Sequence, residues 1–306
     1  MRSKQSLVWP KRLHWDKYFR PQSIPEALQI LGEFQGKAKL LAGGTDLILQ
    51  IRNGEIAPKA LVDITRIPGL DQITLEGGVI RIGPLVTHTQ LSQSPLIREK
   101  ATALSEGASQ LGSPQIRNLG TVAGNIVSGQ PGADTTIPLL SLDAKVKVVS
   151  KQGERTVPLT EFFLSTGKTV VDSMREMVTE IYFSPLAEDE SSVSLRLAKR
   201  KALALPILTV SVVVSANMKQ RKFNRVKIGL GPVALIPFRP REAEQMFASA
   251  PLTDKVIKGA ARKAAQEANP RTSLLRGSET YRREVVANLV ERGIRQGIER
   301  LEVKHG

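Results

Sequence analysis

The chain has 306 residues, 41% of them apolar and 24% charged, with a formal charge of +15 and no cysteine. That length predicts two domains able to bury a sizeable core. The missing cysteines exclude disulfides, a thiolate nucleophile, cysteine-held zinc and iron–sulfur clusters on this chain.

The three histidines, His14, His88 and His305, do not stand at metal-ligand spacing, which argues against a metal site or a histidine triad. Chemistry, if present, is expected to come from something bound. The basic residues are dispersed, and no Lys/Arg run is interleaved with the few aromatics. A solvated surface or a face for an acidic partner is therefore expected rather than nucleic-acid binding. The start, "MRSKQ", has no apolar stretch behind it and reads as no signal peptide. "LPILTVSVVVSANM" is too short and too interrupted to span a bilayer. A soluble, cytoplasmic protein is the expectation.

In chain order, "SIPEALQILGEFQ" reads as a short helix capped by Ser23, with Pro25 in its first turn. A strand "KAKLL" follows, then a glycine turn and an apolar helix from about Asp46 to Arg52. "ALVDIT" reads as another strand. "QITLEGGVIRIGPLVT" predicts a hairpin, because Gly77 and Gly78 separate two β-rich runs at two-residue loop length. From Pro95 to Leu111 apolar positions recur at helical spacing. "GSPQIRNLGTVAGNIVSGQPGADTTIPLL" reads as a long irregular stretch, which in a compact domain usually has a function. A second hairpin is expected around Gly153. Beyond a linker "SPLAEDESS" come strands "SLRLAKRK", "ILTVSVVVSA" and "FNRVKIGLG". Helices are expected near 240–248, 252–268 and 279–301, the last with Val285, Val286, Leu289, Val290, Ile294, Ile298 and Leu301 on one face.

Two motifs mislead. "STGKT" ends like a P-loop, but Phe162 stands where the pattern needs its first glycine. "GLGPVA" follows a strand, yet Pro232, Pro237 and Pro240 forbid the helix a dinucleotide fold requires, so a structural turn is expected.

Two loops carry the chemistry. "LAGGTDLI" places two glycines where a backbone can approach a ligand, and consecutive N–H groups there favour a phosphate. Its other reading is a tight strand–helix turn capped by Thr45 or Asp46. "TVAGN" adds a hydroxyl, a glycine and an amide, and Asp134 in "PGAD" could accept from ribose hydroxyls or simply shape a turn.

Together, "LLAGGTDLILQIRNG", "LVDITRIPGL", "QIRNLGTVAGNIVSGQPGADTTIPLLSLDAKV" and "EFFLSTGKTVV" resemble the FAD-binding medium subunit of the molybdenum hydroxylases, the family of xanthine dehydrogenase and carbon monoxide dehydrogenase. The likeness extends over essentially the whole chain. It implies an α+β architecture: the two-subdomain FAD-binding fold shared with vanillyl-alcohol oxidase and p-cresol methylhydroxylase, then a smaller α+β C-terminal domain of sheet plus helices. The FAD-binding domain would cover 1–185, with subdomains of roughly 1–66 and 67–185, and the C-terminal domain 190–306.

The resemblance further implies that Leu41, Ala42, Gly43, Gly44, Thr45, Asp46, Leu47 and Ile48 wrap the FAD pyrophosphate. Thr121, Val122, Ala123, Gly124 and Asn125 would form the second loop on the pyrophosphate and flavin side, with Asp134 on the adenosine ribose. Leu111, Val178 and Arg196 fall at or near further contact positions. Three departures stand out: Ala123 replaces the first glycine of T-x-G-G-N, "QPGAD" replaces S-P-x-S-D, and Arg196 stands where many relatives have lysine.

No residue here is expected to act as acid, base or nucleophile, since the cofactor does the chemistry. The implied partners are a large subunit with the molybdenum cofactor and a small one with 2Fe–2S clusters, in a dimer of heterotrimers. Electrons would pass from the clusters through FAD to NAD⁺ or another acceptor. Without cysteine, the branch with an extra 4Fe–4S cluster on its flavin subunit is disfavoured. Two alternatives predict differently. A stand-alone flavin oxidase or reductase of the same fold needs its own general acid, for which no constellation is evident. A basic nucleic-acid-binding module would be colourless, with salt-sensitive affinity.

Overall fold

The computed structural model describes residues 15–200 and 203–305, with only the backbone of His305. The "MRSKQ" start, His14 and Lys201 lie outside the described residues.

Strand β1 (Lys17–Phe19) leads to helix α1 (Ile24–Glu33), where the Ser23 hydroxyl accepts from the Glu26 N–H and Pro25 occupies the first turn. Ala27, Leu28, Ile30 and Leu31 face inward, as their spacing predicts. Strand β2 (Ala38–Leu41), helix α2 (Leu47–Arg52) and strand β3 (Ala60–Asp63) follow. The three strands form a parallel sheet in the order β1-β3-β2, with α1 packed on β2 and β3 over a small apolar core.

A second layer begins with the hairpin β4 (Ile73–Glu76) and β5 (Val79–Ile82). Gly77 and Gly78 turn it with φ of 59° and 76°, as the two-residue turn demands. The segment expected to be helical from Pro95 to Leu111 is broken. After α3 (His88–Gln93), α4 (Pro95–Lys100) ends at Ala101 and α5 (Thr102–Gln110) starts anew. Ala101 lies at φ −155°, and the freed Lys100 carbonyl accepts from the Leu186 N–H.

The stretch read as irregular is instead three short helices, α6 (Pro114–Leu119), α7 (Val122–Val127) and α8 (Thr136–Ser141). Ser113 and Thr121 cap the first two. Six residues per helix is too short for a periodic apolar signature. The second hairpin joins β6 (Lys145–Ser150) to β7 (Gly153–Pro158), so Lys151 and Gln152 make the turn and Gly153 opens the second strand. The "STGKT" decoy is the small hairpin β8 (Phe163–Ser165) and β9 (Lys168–Thr169). Strand β10 (Glu176–Phe183) completes an antiparallel sheet ordered β4-β5-β10-β6-β7. Its core lies between this sheet and the short helices.

The expected linker is shorter than "SPLAEDESS", because β11 (Glu190–Ala198) begins inside it. β12 (Pro206–Asn217) and β13 (Lys222–Gly231) complete an antiparallel meander. Helices α9 (Arg241–Gln245), α10 (Asp254–Glu267) and α11 (Glu279–His305) pack on one another and on this sheet. Val285, Val286, Val290, Ile294 and Leu301 of α11 are buried and Leu289 and Ile298 partly so. At about 1.5–3 kcal/mol per fully buried aliphatic side chain, this face holds the helix in place. The "GLGPVA" turn is structural, ending β13 where a side chain on Gly229 or Gly231 would collide with the carbonyls of Ile137 and Pro131.

Candidate functional site

The first loop is delivered by β2, whose last residue, Leu41, pairs with Asp63 of β3. Gly44 has φ +71°, which side chains other than glycine rarely adopt, least of all β-branched ones. Gly43 is required for another reason: a Cβ there would collide with the Leu119 carbonyl and press on Gly120 Cα. The two candidate loops therefore touch backbone to backbone. Asp46 occupies the N-cap position of α2 but makes no side-chain cap bond, so the simple capped turn is not realised. From Gly43 to Leu47, five successive peptide N–H groups meet no protein acceptor among the described residues. The Gly44 carbonyl, by contrast, accepts from the Ile48 N–H at 3.0 Å. This run of donors on one turn is a cradle for an anion with several oxygens.

The second loop is anchored from below. The Val122 N–H donates to the Val86 carbonyl at 2.9 Å, and the His88 N–H donates to the Gly120 carbonyl at 3.2 Å. Thr121 caps α7 by accepting from the Gly124 N–H. Val122 and Ala123 point into the core, at 0% and 7% exposure, leaving their backbone as the surface they can offer a ligand. Asn125 Oδ1 accepts from the Thr135 hydroxyl at 2.7 Å, which ties this loop to the segment carrying Asp134. Thr135 and Thr136, both fully buried, were missed as site-building residues. Their signal was two hydroxyls directly after the acidic residue in "ADTT".

The His88 ring lies against Gly120: a Cβ on that glycine would sit 3.2 Å from His88 Cδ2. Its buried Nδ1 has no partner among the described residues. Burial, aided by the charge of Arg117, pushes the imidazole pKa down to about 4.

Asp134 is buried and receives a 2.9 Å bond from Arg196 Nε, while an Arg196 Nη donates to the Ala204 carbonyl. Burial pushes the Asp134 pKa up to about 6; Arg196 opposes this without overcoming it. Two residues read as separate contacts are thus one ion pair. Leu111 ends α5, and its carbonyl accepts from Arg117 Nη1 of α6 at 2.8 Å, just ahead of the second loop. Val178 lies in the layer beneath, paired with Val148 in the sheet and sharing the core of Val122 and Ala123. Among the described residues no His/Cys/Asp/Glu group could hold a metal ion, and no helix is long and apolar enough to cross a membrane.

A fold in which two glycine-bearing turns meet above a mixed core, followed by a sheet capped by three helices, matches known proteins. The family model for the FAD-binding domain in molybdopterin dehydrogenase covers residues 12–185, and that for the CO dehydrogenase flavoprotein C-terminal domain covers 193–296. The chain belongs to this family of FAD-binding oxidoreductase subunits. It is 31% identical to the xanthine dehydrogenase FAD-binding subunit of Escherichia coli O157:H7 over 92% of its length and 95% of that protein. It is 33% identical to the nicotinate dehydrogenase FAD-subunit of Eubacterium barkeri over 78% and 81% of the two chains. A solved chain of carbon monoxide dehydrogenase from Hydrogenophaga pseudoflava superposes with a TM-score of 0.89 at 29% identity, over 94% of this chain and 98% of that one. The α+β expectation, a FAD-binding part followed by a C-terminal part, is borne out by these matches.

Proposed function

We propose that this chain is the electron-transferring flavin subunit of a cytoplasmic three-subunit molybdenum hydroxylase. A large partner carries the molybdenum cofactor and a small one carries 2Fe–2S clusters, in a dimer of heterotrimers. When bound, FAD supplies the relay between those clusters and NAD⁺ or another acceptor. The division into 1–185, with subdomains of roughly 1–66 and 67–185, and 190–306 belongs to the same reading.

The chain's own part is to hold and orient the cofactor. The run of unpaired N–H groups from Gly43 to Leu47 carries this reading, because it suits the oxygens of a pyrophosphate. Ala42, Thr45, Asp46 and Ile48 complete that turn, and residues 121–125 close over it from the other side. Asp134 accepts from the adenosine ribose while its Oδ1 stays paired with Arg196. Leu111, Val178 and Arg196 border the cofactor; Val122, Ala123 and Val178, facing the core, do so through their backbone or by supporting it.

The test is purification of the full chain, its visible spectrum, and identification of the released flavin, beside Gly44→Val. A yellow wild-type protein with about one FAD per chain is expected. The variant should lose the flavin with unchanged far-UV circular dichroism, because valine cannot hold a positive φ without strain. Equal flavin content in the two proteins would overturn the assignment of this turn.

A further inference from the structure

The loop that carries Asp134 rests on two prolines from the C-terminal half of the chain. Gly132 sits against both: a Cβ there would lie 3.2 Å from Pro232 Cγ and 3.3 Å from Pro206 Cγ. The preceding carbonyl, of Pro131, lies so close to Gly231 that a side chain at 231 would collide with it. The loop is thus seated on the C-terminal half two residues before its carboxylate.

Each proline is held from behind by an arginine. Arg276 Nε donates to the Pro206 carbonyl at 3.1 Å. Arg282 donates through one Nη to the Pro232 carbonyl and through the other to the Arg271 carbonyl at 2.7 Å. Arg282 is 4% exposed, pairs with no carboxylate among the described residues, and leaves its buried Nε without an acceptor. Burial and the neighbouring Arg276 both weaken its hold on the proton. A buried cation without an anion is unfavourable by several kcal/mol. What the structure gives in compensation is the clamping of two backbone carbonyls by a rigid planar fork.

The same segment is also pinned from the side of Asp134, because Arg196 joins that carboxylate to the Ala204 carbonyl, two residues before Pro206. The Asp134 loop, residues 204–206, the 232 turn and the two arginines form one mechanically closed set.

We propose that Arg276 and Arg282 are positioning residues for the Asp134 loop, acting through Pro206 and Pro232, so that the entry and first turn of α11 set how firmly the adenosine half of FAD is held. This rests on the reading of the flavin site given above. Neither arginine touches the cofactor, and their effect is confined to its adenosine diphosphate half.

A double-mutant cycle in the full chain tests this, with Gly132→Ala and Arg276→Met, reading the affinities for FAD, ADP and FMN. Each single change should weaken FAD and ADP about fivefold, one by lifting the loop and the other by releasing its support. FMN affinity should stay unchanged. With both changes the freed Pro206 gives way to the added methyl, so the combined loss should fall at least about threefold short of the product of the singles. Arg282→Lys, which keeps the charge but loses the fork, should weaken ADP as well, and less than Arg282→Met. If Arg282→Met does not fold, the half-buried Arg276 carries the test alone.

A purely structural role predicts a lower melting temperature of the flavin-free chain with ADP affinity unmoved, and that result overturns the inference. So do singles that multiply without coupling in a wild-type chain that binds FAD. A wild-type chain that takes up no FAD overturns the functional reading, and this inference with it.

Discussion

Burial acts on two residues of the site with opposite consequences for pH. His88, pushed down to about 4, is neutral in the folded chain at pH values where an unfolded chain would protonate it. Its contribution therefore falls as pH drops from about 6.5 towards 4. Asp134, pushed up to about 6, holds a proton in the folded chain where an unfolded one would release it. Its contribution therefore rises as pH falls from about 6 towards 4. The two act in opposite directions over the same pH range, each on the order of 3 kcal/mol, and largely offset each other. Replacing His88 with Gln should unmask Asp134: relative to wild type, stability at pH 4.5 against pH 7 should gain about 2–3 kcal/mol in urea unfolding. An unchanged pH dependence would refute the buried neutral imidazole. The glycine turn was legible because its signals are local, an apolar run meeting two glycines. The pairing of Asp134 with Arg196 was not, since 62 residues separate them and either residue alone passes for a ligand contact.

Among the elements, α11 shows how an apolar stripe can be read while its seat cannot. Gly293 and Gly297, one helical turn apart, bring it down onto β12. A Cβ at 297 would lie 2.6 Å from Val214 Cγ2, whereas one at 293 would lie 3.5 Å from Val212 Cγ1, an ordinary contact. Alanine should thus have opposite effects at the two positions. Gly293→Ala should stabilise by up to about 1 kcal/mol through helix propensity. Gly297→Ala should destabilise by about 1–2 kcal/mol, because the β-branched Val214 has little freedom to move aside. Chemical denaturation of the pair decides it, and the same sign at both sites would refute the close seating. The strands and long helices followed from periodicity. The six-residue helices α6, α7 and α8 did not, because α6 and α7 start at single Ser and Thr caps and α8 is seated by contacts with strands distant in sequence.

For the whole molecule, the join between the two halves has a polarity. Among the described residues, each ion pair linking residues before 185 to residues after 190 has its carboxylate on the first side and its cation on the second. Glu106 meets Arg300, Asp134 meets Arg196, and Asp143 meets both Lys227 and Arg239. Arg239 is the most consequential of these cations, its side chain being 4% exposed and shared between Asp143 and Glu244. Arg239→Met should cost about 2–3 kcal/mol in urea unfolding, because it removes the buried cation shared by Asp143 and Glu244 and leaves Glu244 only the exposed Arg241. A loss below about 1 kcal/mol would mark the pair as solvent-screened instead. The order of the two parts was visible in the sequence as a change of character near residue 185. This one-sided charge pattern was not, since it exists only once distant strands and helices are placed together.

That polarity bears on how such chains can be recombined. A C-terminal half borrowed from another family member would bring its own apolar face and helices, but it would seat here only if it offered cations opposite Glu106, Asp134 and Asp143. A donor with the opposite arrangement would place like charges across the seam at each of these points. Compatibility between halves of different relatives can therefore be sorted by three carboxylate positions on one side and the four cations that face them on the other, before any overall resemblance is weighed.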